Sequence, residues 1–411
     1  MALKLVLVGP RGTVFQSGQA KTILLDHLLE FIKRMAARGV RVALWSRHPT
    51  TITTSGSQPE AVETYLTRRS GVHVAYYRAA FGLLPDRQRS DSVAPILADA
   101  GVARHETILI GNEDTDLRAG VNNKLLLIRP EWYPTALEYG FAVHSFSELI
   151  QFCELFALRQ HPIYWSIDHG GLRVRAMGPF STIIPDFTDF GVDARSAAKQ
   201  GGGEPRFWFL MVVSSLYFSG LMHEVDFICR FPGHNPTLPS AASKALDAVL
   251  SILGKCFNKT FLPDLIVRHV AAVKSQYLAA GVRTFRNHLN TLRLNAHPHR
   301  NEKPPTKAPV VLYGKRVLVV DDICTSGRSL DVARAYIEAA GGSAVLFSWL
   351  KTISASFSHM TVAPSLQPFE ANVIATEPPH SSFAYNSHII DHHAPSEISA
   401  LLTAYKAWKW P

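Results

Sequence analysis

The stretch VLVVDDICTSGRSL, Val317 to Leu330, decides how this chain is to be read. Val317, Leu318, Val319 and Val320 run straight into two acids, Asp321 and Asp322. A loop of small or loop-tolerant residues follows, Cys324-Thr325-Ser326-Gly327-Arg328-Ser329, and then DVARAYIEAA with helical spacing. The pattern predicts a strand, a short loop and a helix N-terminus. Such a loop turns backbone N–H groups and hydroxyls into one concavity, where the helix dipole adds positive potential. A phosphate-sized anion fits there, and the paired acids suit sugar hydroxyls or a hydrated cation. Without a ligand, the same residues read as an acidic turn before a helix N-cap.

Working outward, the segment just before this stretch is basic. From Arg268 to Arg316 there are ten Lys or Arg residues and a single acid, Glu302. Within it, Ala296 to Pro309 is rich in Pro, His and Lys, as a mobile lid could be. The plainer reading is a solvated basic helix followed by a Pro-rich connection. The whole chain carries a net charge of +9, which invites polyanionic partners.

At 411 residues the chain should hold two or three domains. Its 47% apolar and 18% charged content excludes a disordered chain and allows sizeable cores. The four cysteines, Cys153, Cys229, Cys256 and Cys324, lie far apart, so neither a zinc knuckle nor a disulfide framework is indicated. A cytoplasmic location is expected. The longest apolar segment, Phe207 to Met222, contains three serines and falls short of the ~20 residues a membrane span needs. It reads as a buried helix, and no membrane partner is expected.

The first 150 or so residues alternate strands and helices. Strands are predicted at Leu5–Val8, Val40–Trp45, Val72–Tyr77, Thr107–Ile110 and Leu125–Ile128. Helices are predicted at Thr22–Arg38, Glu60–Arg69, Ser90–Ala100 and Ser145–Arg159, the last with the Ser145/Glu148 spacing of a capping box. Ile163 to Met177 reads as paired strands around Gly170-Gly171, and Asp193 to Arg206, with its three consecutive glycines, as a flexible connection.

The Val317–Leu330 motif resembles the phosphoribosyl pyrophosphate loop of type I phosphoribosyltransferases, an apolar run followed by D-D-x-x-T-[ST]-G-x-[ST]. The resemblance implies that Asp321 and Asp322 hold the ribose hydroxyls at a magnesium-bearing catalytic site. It implies that Cys324, Thr325, Ser326, Gly327, Arg328 and Ser329 cradle the 5′-phosphate. Arg230, in Cys229-Arg230-Phe231-Pro232-Gly233, stands where these transferases contact pyrophosphate, although their usual Pro-bearing consensus is not reproduced. The segment Leu265 to Asn295 is similar to the competence-associated subgroup through Arg268, Gln276, Arg286 and Asn287, with Arg300 and Lys303 in the catalytic loop. That subgroup's cysteine-rich zinc module is absent.

The first half resembles the haloacid dehalogenase-like superfamily. KLVLVGPRGTVF is similar to its first motif, GVRVALWSRHP to its second (ending in Ser46), and TILIGNEDTDLRAGVNNKLLLI to its fourth. The departures matter more. The nucleophilic aspartate falls on Gly9, the acid/base aspartate on Arg11, and a metal-binding acid on Asn112, with Asp116 nearby. Arg87 and Arg89 occupy the neighbourhood of the family's lysine. Without a carboxylate at the first strand's end there is no covalent nucleophile and a poor magnesium site.

The expected architecture is therefore α/β, two domains each built on a mostly parallel doubly wound sheet. Residues 1–158 would form the dehalogenase-like domain without its catalytic aspartates, 159–206 a connecting and cap segment, and 207–411 the phosphoribosyltransferase domain. Three functions stay open. One is transfer of phosphoribose from magnesium-bound phosphoribosyl pyrophosphate to an unidentified acceptor, read by the last forty residues with Tyr385, His388, His392 and His393. Another is a non-catalytic sensor of that ligand or of a nucleotide, regulating a partner. The third is nucleic-acid binding through the basic run, which lacks interleaved aromatics. An oligomer or a complex is expected in each case.

Overall fold

The computed structural model describes residues 2–16, 19–53, 58–78, 85–134, 139–200, 202–234, 241–271, 284–301 and 303–409. Its N-terminal half is a six-stranded sheet with every pairing parallel. From one edge to the other the strands are Phe141–Val143, Leu126–Pro130, Thr107–Ile110, Leu5–Val8, Arg41–Ser46 and Ala75–Arg78. Successive strands thus build outward in both directions from Leu5–Val8. Such a doubly wound order opens a crevice beyond the carboxyl ends of the two central strands. Leu5–Val8 is buried throughout, as a parallel strand covered on both faces must be.

The second half has a seven-stranded sheet in the order Thr260–Phe261, Phe227–Arg230, Arg316–Cys324, Ser343–Thr352, Leu172–Phe180, Trp165–His169 and Ile389–Ile390. The first five are mutually parallel, and the last two add antiparallel at one edge. Helix Ala241–Cys256 leads from Phe227–Arg230 toward one edge, and helix Arg328–Ala339 leads from Arg316–Cys324 toward the other. The connections wind in opposite directions from these two parallel strands, which puts the switch point at their carboxyl ends, beside Arg230 and Asp321.

The segment expected to connect the domains is built into the second sheet. Residues 165–180 supply two of its strands, and helix Pro185–Gln200 packs against Leu172–Phe180. The Gly170-Gly171 turn was legible, but local pattern cannot say which sheet a hairpin joins. Helix Pro205–Phe218 is apolar on all sides because it lies between the two halves, with Phe207, Trp208, Met211, Val212 and Leu216 fully buried. One continuous apolar core runs from Val6 and Ile108 through Phe156 and Trp208 to Leu318 and Phe347. Tyr217 on this helix donates its hydroxyl to the carbonyls of Arg104, at 2.9 Å, and Thr107. Among the described residues, no helix is long and apolar enough to cross a membrane.

Helix Phe146–Gln151 runs on as one π-helical turn, Phe152–Ala157. Ser145 accepts the Glu148 N–H at 3.2 Å, while the Glu148 carboxylate accepts from His144 N–H at 2.9 Å. The expected capping box is therefore displaced by one residue on its return bond.

Candidate functional site

Asp321 and Asp322 lie near the carboxyl end of strand Arg316–Cys324, an inner strand of the second sheet, after four residues that are fully buried. Asp321 accepts the Asp322 N–H at 2.9 Å, and Asp322 accepts the Ile323 N–H at 2.6 Å. Burial in the crevice, then the charge of Asp322, push the Asp321 carboxyl well above the usual carboxylate range. Lys199, from helix Pro185–Gln200, places its ammonium 2.5 Å from Asp322. Nothing in its local sequence announces this contact, because 123 residues separate the partners.

The loop after the acids closes on helix Arg328–Ala339. Gly327 is its N-cap at φ +74°, a left-handed conformation that favours glycine. An added Cβ there would also collide with the ring of Phe357. Ser326 O accepts the Ser358 N–H at 2.8 Å, and the Thr325 and Thr352 hydroxyls lie 3.2 Å apart. Thr325 is exposed, and Ser326, Arg328 and Ser329 are half-buried beside the crevice. Cys324 departs from its expected role. Its thiol is 3% exposed in the core beneath the loop, and burial pushes its pKa up to about 11. Its thiol therefore packs beneath the loop and does not face the crevice.

Arg268 is buried and comes close to the acids. Its Nε donates to Gly233 O at 2.8 Å, Nη1 to the Thr291 hydroxyl at 2.7 Å, and Nη2 lies 3.4 Å from His288 Nδ1. Desolvation lowers its pKa to about 10, with Asp321 opposing. His288 is held down to about 3 by burial, then by Arg268 and Arg328. Arg328 itself stacks 5.7 Å from the ring of Phe285. Arg268 and Arg328 therefore bring two guanidinium groups to the side of the crevice that holds the acids and the loop.

The remaining candidates are engaged elsewhere. Arg230 pairs with Asp247 through Nε at 2.7 Å and Nη2 at 3.4 Å, so its fork is turned to helix Ala241–Cys256. Arg286 is exposed and donates to Ala375 O at 3.1 Å. The expected lid is held at the sheet edge. Asn301 exchanges backbone and side-chain bonds with Phe261, and Asp264 accepts the His299 N–H at 2.8 Å. Arg300 and Lys303 bridge each other across this turn. Phe261 shares a row with Leu318, three residues before Asp321, or roughly 10 Å along the strand. Gln276 lies outside the described residues.

Tyr385 and His388, expected in an acceptor hood, instead brace the sheet. The Tyr385 hydroxyl meets that of Tyr164, and the His388 ring stands edge-on to Trp165 at 6.0 Å. His393 packs on His161 at 5.3 Å.

A second concavity, of about 200 Å³, lies at the crevice of the N-terminal sheet, lined by Arg11, Ser46, Arg47, Arg87, Glu113 and Asp116 among others. Asp116 is 1% exposed, pairs with Arg87 through Oδ1 and accepts the Asn112 and Glu113 N–H groups through Oδ2, each at 3.0 Å. Arg87 also lies 5.2 Å from the ring of Trp45. Burial first, then Asp116, raise the Glu113 carboxyl. Asp116, whose oxygens are already taken by a guanidinium and two amides, makes a poor magnesium ligand, and Gly9 and Arg11 add no side-chain oxygen.

No family model matches this chain, and no curated protein matches it. Among solved structures, the deoxy-D-mannose-octulosonate 8-phosphate phosphatase of Haemophilus influenzae is 15% identical over 36% of this chain and 85% of its own, at a TM-score of 0.25. A haloacid-dehalogenase-superfamily hydrolase of Geobacter sulfurreducens is 12% identical over 37% of this chain and 97% of its own, also at 0.25. A hypoxanthine phosphoribosyltransferase of Staphylococcus aureus is 12% identical over 46% of this chain and 74% of its own, at 0.18. The fold itself is given by the strand orders and registers above.

Proposed function

We propose that the second half binds phosphoribosyl pyrophosphate with magnesium and transfers its phosphoribose to an acceptor, while the first half binds or scaffolds without phosphatase chemistry. The observation that carries this reading is the adjacency of Asp321 and Asp322 to a loop capped by left-handed Gly327 at a helix N-terminus. The acids would accept from the ribose hydroxyls, and the loop's amides and hydroxyls would take the 5′-phosphate. Arg268 and Arg328 supply positive charge where a diphosphate would depart. Transfer of this kind asks little acid–base work of the protein. The sugar must be held rigidly while positive charge develops at its anomeric carbon, and the leaving charge must be neutralised. Magnesium, when bound, would neutralise the diphosphate. Asp321 and Asp322 would be the residues to hold it.

Calorimetric titration with phosphoribosyl pyrophosphate and magnesium tests the reading, followed by mass spectrometry of candidate acceptors. Saturable binding lost in Asp321→Asn/Asp322→Asn supports it. Each lost charge-assisted bond should cost about 1.5–3 kcal/mol. Equal affinity in wild type and double variant would remove it.

A sensor without catalysis is the second reading, favoured by the pairing of Arg230 with Asp247 and by the anchored Ala296–Pro309 segment. Binding without turnover on any acceptor would select it. Nucleic-acid binding ranks below both, since Arg268 is buried and Arg286 is tied to Ala375.

A further inference from the structure

The strand Ser343–Thr352 carries a lysine into the protein interior. Lys351 is 0% exposed, directly beside Cys324 in the sheet register. Its ammonium donates to Thr325 O at 2.6 Å, Ala355 O at 2.5 Å and Thr352 O at 3.3 Å. The rings of Trp165 and Tyr385 close the cage at 5.3 and 5.8 Å. Three carbonyls satisfy three ammonium protons but leave the charge uncompensated. Among the described residues no carboxylate pairs with it, and burial lowers its pKa. Buried cations normally have a counter-ion, because desolvation is otherwise uncompensated.

The position of this cation says what would complete it. Thr325 O belongs to the first peptide of the phosphate-sized loop, and Lys351 draws that carbonyl inward. In a trans peptide the C=O and the following N–H point in opposite directions. Drawing Thr325 O toward Lys351 therefore turns the Ser326 N–H away from it. The buried charge and the orientation of the amide both favour an anion on the far side of the loop.

We propose that Lys351 is a positioning residue and the fixed buried charge of this loop, and that the phosphate monoester end of the ligand is its counter-ion. This rests on the phosphoribosyl pyrophosphate reading and adds to it a residue that touches no ligand. The test uses the full chain and ribose 5-phosphate as probe, titrated into wild type, Lys351→Met and Lys351→Arg. The expected result is affinity lowered about tenfold or more in Lys351→Met, with Lys351→Arg restoring part of the loss. A Lys351→Met protein that is less stable but binds with wild-type affinity would overturn the proposal. So would equal losses in the Met and Arg variants, since charge would then be irrelevant. If Lys351→Met does not fold, the Lys351 Nζ resonance of the wild-type protein decides. It should shift as ribose 5-phosphate saturates the site, and an unmoved resonance overturns the proposal. A wild type that binds neither ribose 5-phosphate nor phosphoribosyl pyrophosphate defeats the underlying reading instead, so the two failures are distinguishable.

Discussion

The carboxylate of Asp116 fills the space that a side chain on Gly9 would need: an added Cβ at Gly9 would stand 2.9 Å from Asp116 Cγ. The first strand of the N-terminal sheet thus ends without a nucleophile, and helix Asp114–Asn123 places there an acid already bound to Arg87.

Placing a nucleophile at that position should therefore fail. Gly9→Ala is expected to destabilise the protein by about 1–3 kcal/mol through overpacking. Gly9→Asp should cost more, because it adds a second carboxylate against a buried one. Urea unfolding measures both, and neither variant nor wild type should turn over p-nitrophenyl phosphate. Turnover by purified wild type that vanishes in Asp116→Asn would show that the pocket has kept hydrolytic chemistry.

Gly327 answers a different constraint, because both its backbone and its surroundings exclude a side chain. Gly327→Ala should cost about 2 kcal/mol or more, from the left-handed φ and the collision with Phe357. Adding Phe357→Ala would relieve the collision and leave the backbone penalty. The double variant should then show non-additive stabilities in a denaturant cycle, and strictly additive losses would mean the two residues do not meet.

His288 makes stability depend on pH. Its folded pKa is lowered from 6.5 to about 3 by burial, Arg268 and Arg328, so the unfolded chain takes up a proton first as the solution is acidified. The contribution is complete above pH 6.5 and is lost as pH falls from there toward 3. By pH 4.5 the loss should reach about 2 kcal/mol. Melting curves of wild type and His288→Gln from pH 7 to 4.5 should converge on acidification, and a constant gap would remove His288 as the cause.

Legibility in the sequence followed how local each signal was. The Leu5–Val8 and Arg316–Cys324 strands, the Gly327 turn and the buried Pro205–Phe218 helix all announce themselves within a dozen residues. Lys199 was not, because its partner lies on another element and an exposed helical lysine carries no mark of its contact. Lys351 left a trace, a cation inside the apolar run AVLFSWLK, yet its meaning depends on which carbonyl it meets. The engagement of Arg230 by Asp247 shows the converse limit, since motif position gave the residue a role that its partner in space takes away.

The Lys199–Asp322 pair yields the last prediction, in which two opposed effects have opposite signs. Lys199 lowers the proton affinity of Asp321, whereas burial and Asp322 raise it. Removing the ammonium in Lys199→Met should raise the proton affinity of Asp321 further, so that more of it is protonated near neutral pH. A protonated acid accepts fewer charge-assisted bonds from ribose hydroxyls. Affinity for magnesium-bound phosphoribosyl pyrophosphate should then fall about tenfold at pH 7 and recover as rising pH ionises Asp321. Wild type should vary less over that range. Because Lys199 is about half exposed, the substitution should leave the fold intact. Calorimetry across pH for both proteins separates the alternatives. If Lys199→Met binds more tightly at pH 7, the ammonium competes with the ligand for Asp322, and helix Pro185–Gln200 acts as a latch on the site and not as its support.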